Sequence, residues 1–510
     1  MDIKTPINPT TRILITVAVM IATLMQTLDT TIINVALPHM EGSLGTTSDK
    51  ITWVLTSYLV ASAIFMPLTG YFTDRLGMKK YLLISIGGFI LASALCGAAT
   101  SITEMVIFRL LQGIFGAALV PLSQAILADI YPEEERGVAM AIWGVGVMLG
   151  PILGPTLGGY LTELASWRWN FYINVPIGIF CMLLTWQVLP ESVKKIRSMD
   201  WYGLILISVT IGATQFFLDR GNQDNWFDST IICISAFLVI ISLLLFLLHN
   251  IGRKGKSLVF DLNIFSDRNF AISSILLGIF GLGLYGAMVT LPLMLEGLFN
   301  YPVITTGLVM APRGISAMAS MILVGYLIKK HDPRLLIFIG IIMSCCGMYI
   351  GTYYNLDLSP GWFIGPILLQ GFGLGMIFVP LSAVAFSTLP AVMRPEAAGL
   401  FSLLRTLGSS IGISIVSTLL SRNTQIAWNH FGGFINPYNT AVNHYLYPLH
   451  LQASSPKGAA MLATVVATHA QMQAYVDIYK FITWSFLLML PLVILIKKSK
   501  HNNNINTILE

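Results

Sequence analysis

The stretch Leu28-Asp29-Thr30-Thr31-Ile32-Ile33-Asn34-Val35-Ala36-Leu37-Pro38 decides how this chain is read, for two reasons. It closes an apolar block that begins near Ile13, so the carboxylate of Asp29 falls well inside a segment long enough to cross ~30 Å of hydrocarbon. Its last four residues also return far downstream as Val289-Thr290-Leu291-Pro292. The first fact asks how a charge is tolerated in a membrane. The second says that the chain repeats itself.

The repeat keeps its order at a spacing of about 254 to 258 residues: Gly70-Tyr71 returns as Gly325-Tyr326, Leu110-Leu111-Gln112-Gly113 as Leu368-Leu369-Gln370-Gly371, Val120-Pro121-Leu122-Ser123 as Val379-Pro380-Leu381-Ser382, and Gly150 with Gly154 as Gly408 with Gly412. Apolar blocks predict spans at 13–37, 51–72, 81–99, 105–130, 137–161, 171–190, 201–218, 230–249, 271–295, 305–328, 335–354, 362–388, 396–420 and 480–496. Matched spans are eight apart, an even number, so the repeats run parallel. The expected fold is all-α and integral to the membrane, with fourteen transmembrane helices: a six-helix bundle in 1–190, two inserted helices in 191–270, a second six-helix bundle in 271–496 with a long outer loop at 421–479, and a tail at 497–510. Two such bundles related by an axis along the membrane normal are what a major facilitator architecture would be expected to show.

Composition agrees. Of the 510 residues 55% are hydrophobic and 10% charged, against about 25% charged in soluble domains. The five cysteines all fall in apolar blocks and read as small hydrophobes, and no nucleic-acid motif accompanies the net charge of +5. The first span lacks a cleavage signal and reads as an uncleaved helix. Basic residues set the orientation. Twenty lie on one side (Lys4, Arg12, Arg75, Lys79, Lys80, Arg136, those at 194–197 and 253–256, Arg268, those at 329–334, Arg394 and those at 497–500), whereas Lys50, Arg168, Arg220, Arg422, Lys457 and Lys480 lie on the other. Both termini should therefore be cytoplasmic.

Four motifs carry chemistry. Asp29 costs about 2.5–3.5 kcal/mol at the centre of a span, so its helix face, with Gln26, Thr30 and Asn34 at helical spacing, should point into the bundle as a proton-carrying site. Arg109, also at mid-membrane depth, is the candidate partner. In the repeat Asp29 aligns with Gly283 and Arg109 with Ile367, which would confine coupling to the first bundle. Gly70 to Lys80, with Asp74, Arg75, Lys79 and Lys80, suits a charge latch on the cytoplasmic side, assisted by Arg136; Lys79 matches Arg334, but Asp74 aligns with Lys329. Finally Gly150, Pro151, Gly154, Pro155, Gly158 and Gly159 combine close-packing glycines with prolines that bend the helix where bundles could meet.

An adaptable pocket is expected from Met25, Gln26, Asn34, Trp53, Tyr58, Gln112, Trp143, Met148, Tyr285, Met310, Arg313, Gln370, Phe378 and Arg405. Three arginines against one central acid favour neutral or weakly acidic hydrophobic compounds as substrates. A membrane-embedded transferase is the competing class. It would need paired acids or a histidine at membrane depth, and the chain has no Asp-Asp pair and keeps its eight histidines in loops, tails or span ends.

These motifs resemble the major facilitator superfamily and, within it, the fourteen-helix drug/proton antiporters of the EmrB and QacA type. Leu28 to Pro38 resembles that branch's first-helix motif, Gly70 to Lys80 the superfamily loop motif, Arg109 to Ala118 the fourth-helix motif, and Gly150 to Gly159 the antiporter motif of exporters. The resemblance extends to Trp167-Arg168-Trp169-Asn170-Phe171-Tyr172-Ile173-Asn174-Val175-Pro176, to Leu218-Asp219-Arg220-Gly221 and to Arg405-Thr406-Leu407-Gly408-Ser409-Ser410-Ile411-Gly412, and so covers nearly the whole chain. It implies multidrug efflux across the inner membrane, driven by the proton motive force without a cofactor, with Asp29 and Arg109 as coupling residues. It also implies two partners, a periplasmic membrane-fusion adaptor (EmrA-like) and an outer-membrane channel (TolC-like), for which the loop 421–479 would be a docking element. Export of one specific metabolite or siderophore is the alternative within the same class.

Overall fold

The computed structural model describes residues 8–132, 135–192, 194, 198–251, 261–436 and 438–497. Lys4, the basic residues at 195, 197, 253, 254 and 256, and the tail beyond Lys497 lie outside the described residues. Among the described residues fourteen helices are long and apolar enough to cross a membrane: α1 (Pro9–Val35), α2 (Trp53–Leu76), α3 (Met78–Ala98), α4 (Ile102–Ile130), α5 (Arg136–Leu164), α6 (Trp169–Val188), α7 (Trp201–Arg220), α8 (Thr230–Ile251), α9 (Arg268–Gly297), α10 (Ile304–Leu327), α11 (Pro333–Tyr353), α12 (Gly361–Ser387), α13 (Ala391–Gly432) and α14 (Pro456–Ile494). Their starts follow from local chemistry. Asn8, Ser101, Asp267, Asp332 and Ser455 each accept a backbone N–H of the first turn, and proline occupies an early position of α1, α11 and α14, where its missing N–H costs nothing.

Packing repeats as the sequence does. Helix α5 lies along α1 as α13 lies along α9, and α4 lies along α2 as α12 lies along α10. The glycines explain the closeness. A side chain at Gly150, Gly154 or Gly158 would run into Thr27, Thr31 or Ile32 of α1; one at Gly408 or Gly412 would run into the backbone of Gly278 or Leu282 of α9. The glycine stripe of α5 therefore packs inside its own bundle, and the neighbouring Pro151 and Pro155 face the other one. Inserted helix α7 leans on α2 and α13, where the Gln215 amide donates to Ser410 Oγ at 2.8 Å, and is tied to α8 through Thr210 and Ser242 at 2.8 Å.

Two expectations change. The outer loop 421–479 is mostly helix, not only in the segment Gly458 to Ile478 that the sequence marks as helix-prone: α13 continues to Gly432 and α14 begins at Pro456, leaving a short helix at Thr440–Leu446 and a small core of Val442, Leu446 and Leu462 between them. Falling hydropathy ends a span but not a helix, because helical hydrogen bonding continues wherever polar residues meet water. The Asp29 face also ends early, since α1 tightens into a 3-10 turn at Ile33–Val35 and leaves Asn34 exposed.

Adding one methyl group separates the packing sites from the free ones. Gly158→Ala, Gly408→Ala and Gly412→Ala, which press on backbone atoms, should each destabilise the detergent-solubilised protein by ~1–3 kcal/mol. Gly159→Ala meets only Val35 Cγ1 at 3.7 Å and should be neutral or slightly stabilising in thermal unfolding. Equal losses at all four would contradict this packing.

Candidate functional site

Asp29 and Arg109 meet. Both are fully buried, and Arg109 Nη1 donates to Asp29 Oδ2 at 2.7 Å. The same nitrogen donates to Gln112 Oε1 at 2.8 Å, and Arg109 Nε donates to the Val54 carbonyl at 3.0 Å. The Tyr58 ring lies 4.3 Å below the guanidinium carbon and that of Phe171 5.8 Å away, so the cation rests between aromatic faces. The other carboxylate oxygen, Oδ1, accepts from Gln112 Nε2 at 2.8 Å and from Asn174 Nδ2 at 3.1 Å. Asn174 also donates to Ser93 Oγ at 3.1 Å, which donates to the Phe171 carbonyl at 2.8 Å.

All the groups bonded to Asp29 are therefore N–H donors. A protonated carboxyl would add an O–H donor where the structure presents three N–H donors to the two carboxylate oxygens. The arrangement fits the ionised carboxylate.

Helix α1 carries this constraint outward. Asp29 faces α4 and α6, whereas Thr27 and Thr31 face α5, with Thr31 Oγ1 donating to the Gly150 carbonyl at 3.0 Å. Beyond α5 lies a small, partly open cavity of about 60 Å³, lined from one bundle by Met148, Pro151, Ile152, Pro155 and Thr156 and from the other by Leu284, Met288, Met310, Arg313 and Leu374 among others. Of the pocket residues expected from sequence, Met148, Met310 and Arg313 line it. Trp143 stacks on Phe378 at 5.4 Å across the bundle boundary, and Gln370 Oε1 accepts from Arg313 at 2.9 Å. The others stand apart. Gln112 and Tyr58 serve the ion pair; Gln26 accepts the Val120 N–H at 3.0 Å, closing the backbone gap where α4 bends beside Pro121; Trp53 is half exposed beneath Arg220. Tyr285 and Arg405 are neighbours on α9 and α13 outside the lining.

The residues expected to form the latch are placed as follows. Arg75 is exposed and donates to Tyr71 of its own helix at 2.5 Å, and Lys79 and Lys80 line a polar cleft with Glu191, Ser192 and Lys194 on the outside of the first bundle. Asp74 and Arg136 are each engaged by other groups. Contact between the bundles at this end comes from Arg394 Nη1 on Asp129 Oδ1 at 2.7 Å, from Glu396 pressed on Gly70, and from Gly399 against the Met66 carbonyl. The repeat held the signal for Arg394, which stands 258 residues after Arg136. Asn174 had a signal too, as a polar residue in the middle of the sixth span's motif.

Comparison with known proteins agrees with this geometry. Residues 19–413 match the family model described as Major Facilitator Superfamily. The chain is 34% identical over 493 residues to the fatty acid resistance protein FarB of Neisseria gonorrhoeae, covering 96% of each. It is 33% identical over 500 residues to the multidrug export protein EmrB of Escherichia coli (strain K12), covering 97% of each. Among solved structures it is similar to the human organic anion transporter MFSD10 (TETRAN), with a TM-score of 0.62 at 16% identity over 96% of this chain and 100% of that one, and to the proton:xylose symporter XylE, with a TM-score of 0.59 at 16% identity over 94% and 95%. A paired buried acid and arginine in the first of two repeated helical bundles, a cavity between the bundles and these likenesses together make the chain a member of the Major Facilitator Superfamily.

Proposed function

We propose that this protein is a proton-driven antiporter that exports lipophilic toxic compounds. The observation that carries the reading is the fully buried Asp29–Arg109 pair, in which N–H donors meet both carboxylate oxygens; in this reading a proton and Arg109 compete for Asp29. Multidrug export and fatty acid resistance, as the names of its relatives put it, supply the direction and the kind of cargo. A proton from the outer side neutralises Asp29 and releases Arg109, Gln112 and Asn174. Helix α1, keyed to the α5 glycines, then carries the change to the prolines that border the cavity. Deprotonation on the cytoplasmic side restores the ion pair. One proton entering at ~150 mV supplies roughly 3.5 kcal/mol, enough for a few-hundred-fold gradient of a neutral compound. The reading is transport and not catalysis.

Positive-inside bias puts the termini, the Asp129–Arg394 contact and the Gly70 to Lys80 turn on the cytoplasmic face of the inner membrane. That contact is the latch, closed in the present conformation, and Asp74, Arg75, Lys79, Lys80 and Arg136 surround it on the same face. On the opposite face the extended ends of α13 and α14 form a hairpin on which Tyr438 and Tyr447 are 92% and 81% exposed. It suits docking of a periplasmic adaptor leading to an outer-membrane channel.

Asp29→Asn should abolish substrate-dependent proton flux in inverted vesicles while the protein still reaches the membrane; wild-type flux would contradict the coupling role. Removing one member of a buried pair costs about 3–5 kcal/mol, so Asp129→Asn should open the latch. With Cys233 and Cys346 replaced, a cysteine at the buried position Ser402 should then react several-fold faster with a maleimide than in the Asp129 parent. Unchanged labelling would mean that the pair does not hold the bundles.

A further inference from the structure

The two bundles repeat, but their buried arginines do not stand in equal company. Gln112 and Gln370 are repeat partners, and each accepts from a guanidinium through Oε1, Gln112 from Arg109 at 2.8 Å and Gln370 from Arg313 at 2.9 Å. In the first bundle the cation comes from α4 and stacks on Tyr58 of α2. In the second it comes from α10, at the position that Tyr58 holds in the repeat, 255 residues earlier. The glycines beside the two glutamines confirm the correspondence: Gly113 presses on the Tyr58 carbonyl and Gly371 on that of Arg313.

The acid has no such counterpart. Asp29 aligns with Gly283, and the space beside Gly283 is filled by the Phe486 ring. Arg313 is therefore 93% buried with one hydrogen bond from Nη2, and its Nε and Nη1 donors have no partner. The titratable groups facing it are the phenols of Tyr354 and Tyr479, which lie edge to face at 5.3 Å. A desolvated guanidinium with two unused donors is costly until an anion reaches it, and a carboxylate is the anion that a guanidinium fork matches. Arg313 also borders the cavity between the bundles, whose remaining wall is methionine, leucine, isoleucine and proline with Thr156.

We propose that Arg313 is the counter-ion of a substrate carboxylate, so that the cavity takes amphipathic monocarboxylates with the head on Arg313 and the apolar tail along Met148, Leu284, Met288 and Met310. The substrate supplies to the second bundle the acid that Asp29 supplies to the first. This assignment rests on the export reading for its purpose and on binding alone for its test.

Radiolabelled decanoate is titrated onto the full-length protein in nanodiscs of zwitterionic lipid, with empty nanodiscs as the blank and no proton gradient. Saturable binding is expected, with decanol, decyltrimethylammonium and acetate each competing at least ~10-fold less well than unlabelled decanoate, since a hydrogen-bonded charge contributes about that factor or more. Arg313→Gln should lose that margin while keeping its affinity for decanol. Arg313→Lys should retain part of it. Gln370→Glu, which places a carboxylate on the intact Arg313, should abolish decanoate binding without removing the arginine. Decanol matching decanoate in the wild type, acetate matching decanoate, or an unchanged preference in both Arg313→Gln and Gln370→Glu would overturn the proposal. Failure of export with decanoate binding intact would count against the antiport reading and leave this one standing.

Discussion

The ion pair between Asp29 and Arg109 is the constraint from which the rest of the first bundle follows. Two charges fully withdrawn from water are tolerated only when each finds its full set of partners. That requirement brings Gln112, Asn174, Tyr58, Phe171 and the Val54 carbonyl to one place, drawing in α1, α2, α4 and α6. The remaining helix of the central group, α5, is then held to α1 by glycines on the face opposite the acid. A change in the charge of one oxygen thus bears on the orientation of α1, and through Thr27 and Thr31 on a helix that borders the cavity.

The second bundle uses the same backbone plan without the same electrostatics. Its glycine stripe on α13 meets α9 as that of α5 meets α1, so the packing skeleton is shared. The acid is lost, the arginine moves from the fourth helix of the repeat to the second, and a phenyl ring takes the vacated room. Such divergence on a common scaffold divides labour between halves. One holds an internal charge balance that a proton can disturb, and the other holds a cation whose balance comes from outside the chain.

Much of this was legible in the sequence for definite physical reasons. Membrane spans announce themselves by length and hydropathy, so the fourteen helices lie close to their expected positions. Asp29 and Arg109 were conspicuous because charge at that depth demands a function. Ranges at the outer end were not legible, because α13 and α14 continue as helices where water replaces lipid and hydropathy falls. Pocket residues were the least legible. Polarity and size cannot distinguish Gln26, which closes a gap in the backbone of α4, or Tyr58, which underlies a guanidinium, from side chains that face the cavity. The contact of Arg394 with Asp129 was not legible for a similar reason: Arg75, Lys79 and Lys80 are dense in sequence, whereas this pair is 265 residues apart.

The central claim is that Asp29 exchanges Arg109 for a proton. Infrared difference spectra of the nanodisc-embedded protein, acidic minus neutral and wild type minus Asp29→Asn, test it most directly. The account predicts a carboxylic-acid carbonyl band present in the wild type and missing in Asp29→Asn, accompanied by a shift of guanidinium bands that Arg109→Lys removes. An Asp29 that stays ionised across the range in which the wild-type protein still carries protons would contradict it.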